Sequence, residues 1–186
     1  MILVFLVFAI ITVFQQSFEY KYAYASKNTA LGDFNFGAAG DWSCKEQANR
    51  TVDNMITKDP ELVLALGDLA YAPPKCWFKL INSISNITEI AIGNHETIRE
   101  IQGNNSSCIT CVIVPAPERL QQYMNYFNLT RQYYSFNYEN VHFLAISTET
   151  EFGPGSDQYR FVSQDLARAD ADPSINWIVV FYHRTT

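Results

Sequence analysis

The sequence has few basic residues for its size. Lys and Arg number 13 against 19 Asp and Glu among 186 residues, which gives a formal net charge of −6 at pH 7. This balance excludes a basic nucleic-acid-binding surface as the main feature, and we expect no nucleic-acid partner. An anionic ligand would have to be held by something other than bulk positive charge, and a bound metal ion is the obvious candidate.

Repeats, charge blocks and low-complexity linkers are also missing across residues 26–186. At the same time 48% of the residues are hydrophobic and 15% are aromatic, which is enough to offset the entropy of folding and excludes a disordered chain. Roughly 100–200 residues make one domain, so we expect residues 26–186 to form a single domain.

The hydrophobic run at the N terminus is short. Residues 1–14 are apolar apart from Thr12, whereas a bilayer span needs roughly 20 residues. The small-x-small pattern of a secretory cleavage site follows at Ala23-Tyr24-Ala25, although no Lys or Arg precedes the run. We therefore expect residues 1–25 to be a signal peptide, with an uncleaved N-terminal membrane anchor as the alternative. In both cases the domain would lie outside the cytoplasm, either secreted or anchored facing outward.

Two further features agree with export. Asn-x-Ser/Thr sequons, which accept glycans in a glycosylating host, occur at Asn49, Asn86, Asn104, Asn105 and Asn128. The chain has four cysteines, an even number that can pair in an oxidising compartment: Cys44, Cys76, Cys108 and Cys111. Their pairing stays open at this stage. Cys108 and Cys111 also have the spacing of a metal knuckle or a redox pair, so a structural zinc site and a cysteine-based redox protein are minor alternatives to disulfides.

The segments of the chain alternate between strands and helices. Apolar runs and apolar–polar alternation predict strands at 34–39, 62–66, 87–92, 134–138, 141–146 and 177–181. Helices are predicted after Ser43, whose spacing to Glu46 is that of a capping box, over 77–84 and 117–127, and from Ser156 or Asp157 onward. This order predicts an α/β domain with helices packed on a parallel or mixed sheet.

Polar side chains follow four of these strands at the point where each strand ends: Asp41, Asp68, Asn94 and His183. Open α/β sheets bind ligands at this edge, so we expect the four side chains to converge. Carboxylate, amide and imidazole ligands together suit zinc, iron or manganese. Adjacent carboxylates repel one another without a cation, and two metal ions sharing one bridging carboxylate would remove that repulsion.

The strand ends also carry sequence motifs, namely Gly40-Asp41-Trp42, Gly67-Asp68-Leu69-Ala70-Tyr71, Gly93-Asn94-His95-Glu96 and Val180-Phe181-Tyr182-His183. These resemble successive motifs of the calcineurin-like metallophosphoesterases, and most closely those of the purple acid phosphatases. The segment 134–149 resembles the central hairpin of that family, so the resemblance covers roughly residues 33–186. It implies a layered α/β/β/α sandwich, of which the N-terminal portion is present.

The resemblance implies a pair of metal ions, Fe(III) with Zn, Mn or Fe(II). Asp41 would hold the first ion and Asp68 would bridge both. Asn94 and His183 would hold the second ion. Tyr71, three residues after Asp68, stands where purple acid phosphatases carry the tyrosinate that binds ferric iron.

The implied reaction is hydrolysis of a phosphate monoester, in which a metal-activated hydroxide attacks phosphorus. His95 would be a catalytic group near the phosphate, as a proton donor or an orienting hydrogen bond. Ser43 stands two residues after the first aspartate, where the wider family usually has a histidine. This difference, together with Tyr71, favours the purple acid branch.

The family also has a downstream Gly-His-x-His motif that this chain lacks. Its three histidines are His95, His142 and His183, and His142 is interpreted as structural, like Trp42 and Trp77. We therefore expect the domain to be truncated at its C terminus, to retain metal weakly and to show little activity alone, while the intact parent is active. The alternative is a catalytically silent phosphoesterase-like binding module or an inactive fragment.

Overall fold

The computed structural model describes residues 4–6, 34–97 and 116–184. The strands are β1 (Val4–Leu6), β2 (Phe36–Ala39), β3 (Leu62–Leu66), β4 (Thr88–Ala91), β5 (Tyr134–Tyr138), β6 (Val141–Ala145) and β7 (Trp177–Phe181). The α-helices are α1 (Glu46–Lys58), α2 (Pro74–Leu80), α3 (Asn94–Thr97), α4 (Ala116–Tyr126) and α5 (Asp157–Ala171). A 3₁₀ turn covers Ser85–Ile87. The alternation of strands and helices predicted from the sequence is confirmed, with ends that shift by a few residues.

The strands form two sheets. In the first sheet β2, β3 and β4 run parallel with β3 in the middle, so the turns that follow all three lie at the same edge. In the second sheet the order is β1-β7-β6-β5. The predicted hairpin of β5 and β6 is present and antiparallel, whereas β6, β7 and β1 run parallel.

The two sheets pack face to face through a shared apolar core. Leu62 and Leu64 of β3 lie in one buried cluster with Phe143 of β6 and Phe181 of β7. Side chains alternate between the faces of a strand, so Leu144, next to Phe143, lies in a different cluster on the outer face of the second sheet. The aromatic ring of Phe36 meets that of Phe143 edge to face at 5.7 Å.

Helices cover the outer face of each sheet. On the first sheet, Val52 and Met55 of α1, Trp77 of α2 and Tyr123 of α4 belong to one buried cluster. On the second sheet, α5 contributes Ala169 to the cluster that contains Leu144. The result is the α/β/β/α layering that the family resemblance implies, with two sheets where the strand pattern alone predicts one.

The two helix starts predicted from capping residues differ in outcome. The hydroxyl of Ser156 caps α5 by accepting from the N–H of Tyr159 at 3.1 Å, as expected. The capping box predicted at Ser43 is wrong, because Ser43 accepts instead from the N–H of Lys45, and α1 begins at Glu46 without a side-chain cap. Ser43 has a φ of 104°, since the chain leaves β2 through a constrained turn before the helix starts.

The N-terminal hydrophobic run contributes β1, which pairs with β7 at the edge of the second sheet. The other residues of the predicted signal peptide or anchor, 1–3 and 7–25, lie outside the described residues. Within the part of the chain that the structure describes, none of the helices is long and apolar enough to cross a bilayer. The division at residue 25 stays a prediction.

Candidate metal centre

The turns after β2 and β3 hold two of the predicted aspartates in an uncommon backbone conformation. Asp41 has a φ of 53° and Asp68 a φ of 48°, in the left-handed region that residues with a Cβ seldom occupy. Two backbone hydrogen bonds join the turns, from the N–H of Asp41 to the oxygen of Gly67 at 3.1 Å and from the N–H of Trp42 to the oxygen of Asp68 at 2.9 Å. Backbone held in this way is typical of functional sites.

Three predicted site residues converge where the two sheets meet. Asp41, Asp68 and His183 each offer one ligand atom, and these atoms lie within 4.8 Å of one another. Asp41 is exposed, Asp68 is buried and His183 is half-buried. Because His183 follows β7, it reaches the aspartates from the second sheet. The expected convergence of strand ends is present for these residues, while their roles as metal ligands stay predictions.

The imidazole of His183 is oriented by the backbone of β3. Its Nδ1 donates to the carbonyl oxygen of Leu66 at 2.8 Å, and its Nε2 lies 3.3 Å from Oδ1 of Asp68. A carbonyl partner of this kind fixes the ring and tautomer of histidines that bind metals. Burial lowers the pKa of His183, but the hydrogen bond and charge of Asp68 outweigh it and raise the pKa to about 9.

The buried carboxyl group of Asp68 is ionised, because its contacts with His183 and His95 lower its pKa. Burial raises the pKa of Asp68, but the hydrogen bonds from His183 and from the N–H of His95 more than offset it and leave the pKa below its usual value. The site therefore holds a charged carboxylate in a mostly buried position, which is a favourable place for a cation.

Tyr71 lies beside both aspartates, as the family resemblance implies, while its role as a metal ligand stays a prediction. Its phenol donates to Oδ1 of Asp41 at 2.8 Å, and the same oxygen lies 3.2 Å from Oδ2 of Asp68. One phenolic proton thus reduces the repulsion between two carboxylates. Burial, followed by the bond to Asp41, raises the pKa of Tyr71 far above its usual value, so the phenol stays protonated until a cation displaces that proton.

The turn after β4 brings the third motif to the same place. The N–H of His95 donates to Oδ1 of Asp68 at 2.9 Å, and its Nε2 lies 3.6 Å from Oδ2 of Asp68. The His95 ring contacts the Tyr71 ring with centroids 4.4 Å apart. Asn94, the first residue of α3, is half-buried one position before His95. The roles of Asn94 as a metal ligand and of His95 as a catalytic group stay predictions.

Glu96 has a positioning role that the sequence analysis did not assign. It is fully buried, and its carboxylate accepts the backbone N–H groups of Asp68 at 2.9 Å, Leu69 at 2.8 Å and Gly93 at 2.8 Å. Glu96 therefore ties the turn after β3 to the turn after β4. Burial raises its pKa to about 7, while the bonds from Gly93 and Leu69 oppose that rise. The sequence signal for this role is that Glu96 is an acidic residue within the motif 93–96, which also contains Asn94 and His95.

Two glycines allow the turns to approach closely. A Cβ on Gly67, whose φ is +80°, would lie 2.7 Å from Cβ of His183. A Cβ on Gly93 would lie 2.4 Å from the nitrogen of Asp68 and 2.5 Å from its Oδ1. Separations this short do not occur between non-bonded atoms, so both positions require glycine.

The residues interpreted as structural lie in packed surroundings. His142 is buried, with its Nε2 2.7 Å from Oδ2 of Asp165 on α5. Trp42 and Trp77 are buried and pack edge to face with ring centroids 6.0 Å apart.

The structure assigns one cysteine pair among those left open. Cys44 and Cys76 form a disulfide with their Cα atoms 6.0 Å apart, which links the turn after Asp41 to α2. Cys108 and Cys111 lie outside the described residues.

The donor set fits a hard or borderline metal. Two carboxylates, a phenol and an imidazole converge, and in this arrangement protons on Tyr71 and His183 offset the charge of the aspartates. A bound cation would replace those protons. Oxygen and nitrogen ligands of this kind suit zinc, iron and manganese.

Comparison with known proteins finds similarity to purple acid phosphatases. No protein-family model matches the chain. The chain is 26% identical over 157 residues to probable purple acid phosphatase 20 of Arabidopsis thaliana, covering 80% of this chain and 35% of the relative. It is 28% identical over 159 residues to purple acid phosphatase 21 of the same plant, covering 80% and 34%. It is also 24% identical over 168 residues to the A. thaliana protein named probable inactive purple acid phosphatase 1, covering 83% and 27%. The chain thus spans about a third of the length of the curated relatives it matches.

The fold is similar to that of a solved purple acid phosphatase structure. The structure of purple acid phosphatase PPD1, isolated from yellow lupin (Lupinus luteus) seeds, aligns with a TM-score of 0.55 and 21% sequence identity, over 81% of this chain and 33% of that chain. In sequence and in fold this chain resembles the purple acid phosphatases, as its four strand-end motifs indicate.

Proposed function

We propose that this chain carries part of the metal site of a phosphoesterase that hydrolyses phosphate monoesters. The observation that carries the proposal is the convergence of Asp41, Asp68 and His183, whose ligand atoms lie within 4.8 Å of one another. The similarity to purple acid phosphatases supports this reaction class.

The proposed site takes two metal ions, Fe(III) with Zn, Mn or Fe(II). Asp41 and Tyr71 would hold the first ion, Asp68 would be a ligand shared by both, and Asn94 and His183 would hold the second. When bound, such a pair lowers the pKa of a water molecule and clamps the oxygens of the ester. The role of the chain is to fix these ligands through Glu96 and the carbonyl of Leu66 before any metal arrives.

His95 is the proposed proton donor to the leaving alcohol. Its side chain is 22% exposed, which allows contact with a substrate, and its ring is held between Asp68 and Tyr71. Imidazole is the side chain most often used for proton transfer, and a group fixed at the edge of the site is well placed for it.

We also propose that the protein acts outside the cytoplasm, secreted or anchored. The apolar N-terminal run and its cleavage pattern support export. The Cys44–Cys76 disulfide suits an oxidising compartment. The sequon residues Asn49, Asn86 and Asn128 are exposed, as glycan acceptors must be.

Asp68→Asn tests the proposed metal site, because it removes the charge of the bridging ligand without changing its size. We expect Zn²⁺ binding, measured by titration calorimetry, to weaken at least about tenfold. Any hydrolysis of p-nitrophenyl phosphate should disappear with it.

Asp165→Asn is the matched control, since Asp165 is equally buried and also faces a histidine, His142. This variant should lose stability but keep its affinity for Zn²⁺. Equal Zn²⁺ binding by the wild-type and Asp68→Asn chains would contradict the proposal.

A second candidate function is a silent module that binds phosphate esters at the same site. It is favoured by the similarity to a relative named as probably inactive. Binding of inorganic phosphate by the Zn²⁺-loaded chain without turnover of p-nitrophenyl phosphate would support this candidate over the hydrolase.

A further inference from the structure

Arg119 of α4 is an arginine with almost no contact with water. Its exposed fraction is 4%, and it lies one helical turn before the buried Tyr123. A buried guanidinium is unfavourable unless its N–H groups are hydrogen-bonded. The Nη2 group of Arg119 donates to the backbone carbonyl oxygens of Ala70 and Ala72, the latter at 3.1 Å.

These two carbonyls stand on either side of Tyr71. The Ala70 carbonyl belongs to the peptide that joins Ala70 to Tyr71, and the Ala72 carbonyl belongs to the peptide that joins Ala72 to Pro73. The two hydrogen bonds therefore hold the backbone just before and just beyond Tyr71, and this limits the direction of its side chain. The side chain of Tyr71 extends from this backbone so that its phenol oxygen lies 2.8 Å from Oδ1 of Asp41 and 3.2 Å from Oδ2 of Asp68. Arg119 therefore acts on the phenol through the backbone that carries it.

The N-terminal end of the segment that carries Tyr71 is held by an acidic side chain, Glu96. Glu96 accepts the N–H groups of Asp68 and Leu69, whereas Arg119 binds the carbonyls that follow. The segment 68–72 thus runs from the buried carboxyl group of Glu96, which faces two N–H groups, to the buried guanidinium of Arg119, which faces two carbonyls. Each charge is compensated by the peptide dipoles that it orients.

We propose that Arg119 is a positioning residue that sets the phenol of Tyr71 as a metal ligand. This inference rests on the proposed metal-binding function, and it adds a residue about 50 positions away from Tyr71 in the chain. Lys at this position keeps the charge but presents a shorter point donor instead of the planar guanidinium, so it reaches the two carbonyls less well.

The first experiment uses the metal-free chain, labelled with ¹³C at the tyrosine Cζ atoms, and therefore does not depend on metal binding. The Tyr71 resonance is identified by its loss in Tyr71→Phe. We expect it to move toward the position of a solvent-exposed tyrosine in Arg119→Lys, and further in Arg119→Met. Arg119→Lys keeps the buried positive charge. The Tyr71 resonance can therefore still be measured in this variant if Arg119→Met does not fold.

Arg131→Lys is the matched control. Arg131 also contacts aromatic rings, with its Cζ 5.0 Å from the Tyr133 ring and 4.1 Å from the Phe161 ring. This exchange should leave the Tyr71 resonance in place. An unchanged Tyr71 resonance in both Arg119 variants would overturn the proposal.

The second experiment is a double-mutant cycle on Fe(III) affinity in the chain. Arg119→Lys should weaken binding between about tenfold and a hundredfold, as outer-shell groups do, and should shift the visible absorption of the iron–tyrosinate pair. In a Tyr71→Phe background the same exchange should change affinity by less than about twofold, because its effect passes through Tyr71.

The two experiments separate this inference from the proposed function. If Arg119→Lys weakened Fe(III) binding in the Tyr71→Phe background as much as it does in the wild-type background, the inference would be overturned, while the proposed metal site would stand. A wild-type chain that binds neither Fe(III) nor Zn²⁺ would contradict the proposed function and, with it, the ligand role assigned to Tyr71.

Discussion

At the scale of single residues, the close approach of the two sheets depends on Gly67. Its φ of +80° is unfavourable for a residue with a Cβ, and an added Cβ would lie 2.7 Å from Cβ of His183. Gly67→Ala should therefore lose about 1–2 kcal/mol of unfolding free energy through its backbone conformation. Overlap with His183 should add about 1–3 kcal/mol. Urea unfolding measures the sum.

Gly155 provides the control for this substitution. Its φ is +92°, but an added Cβ would have nothing within 4 Å. Gly155→Ala should show the backbone contribution alone and leave Zn²⁺ affinity unchanged, whereas Gly67→Ala should lower both stability and affinity. Equal effects of the two substitutions would show that contact with His183 is unimportant.

The pair formed by His183 and Asp68 predicts how stability depends on pH without metal. The pKa of His183 is raised from 6.5 to about 9, so its contribution is fully present below pH 6.5 and is lost as the pH rises through 9. We expect the unfolding free energy of the chain in a chelator to fall between pH 7.5 and 9.5. Glu96, with a pKa of about 7, titrates mostly below this range.

His183→Gln tests that assignment, because it removes the titrating group and keeps a polar side chain. The variant should be less stable at pH 7.5 and should lose most of the decline up to pH 9.5. A decline as steep as in the wild type would place its origin in another group.

At the scale of elements, most strands and helices follow from local sequence. The predicted bounds of β3, β5, β6 and β7 differ from the observed bounds by at most one residue, because each apolar run or apolar–polar alternation stops close to glycine or polar residues. The predicted start of α1 is wrong, because hydrogen bonds to the turn after β3 hold Asp41 and Trp42, and Ser43 follows them with a φ of 104°. That constraint comes from a strand that follows later in the chain.

Some residues of the candidate site also follow from local sequence, whereas the roles of others depend on the fold. Asp41, Asp68, Tyr71 and His183 stand at strand ends or at a fixed spacing from them, so the sequence locates them. The roles of Glu96 and Arg119 depend on which backbone groups the fold places beside each side chain. A helical pattern marks Arg119 only as a charged residue on an apolar face.

The disulfide is the covalent link between two of these elements. Cys44 and Cys76 are 32 residues apart in sequence, and closing a loop of that length stabilises a folded chain by about 3–4 kcal/mol through the entropy of the unfolded state. Replacing both residues by Ala should lower the unfolding free energy by about that amount. Each single variant should lose as much, and a single variant that keeps wild-type stability would show that the link contributes little.

At the scale of the whole molecule, the site exists only because the two sheets are packed together. Asp41 and Asp68 belong to the first sheet and His183 to the second. The core that joins them contains Phe143, which is fully buried, within one cluster that also includes Leu64 of β3. The geometry of the metal ligands therefore depends on packing at the interface between the sheets.

Phe143→Ala tests this dependence against Leu144→Ala, the next residue on the same strand. Both side chains are fully buried, but Phe143 lies between the sheets and Leu144 lies beneath α5. The two substitutions should destabilise the chain by about 3–5 and 2–5 kcal/mol, respectively. At a temperature where circular dichroism shows both variants folded, Phe143→Ala alone should weaken Zn²⁺ binding, because only its cavity lets His183 move relative to Asp68. Equal Zn²⁺ affinities would mean that the ligands are held by their own turns and not by the packing of the sheets.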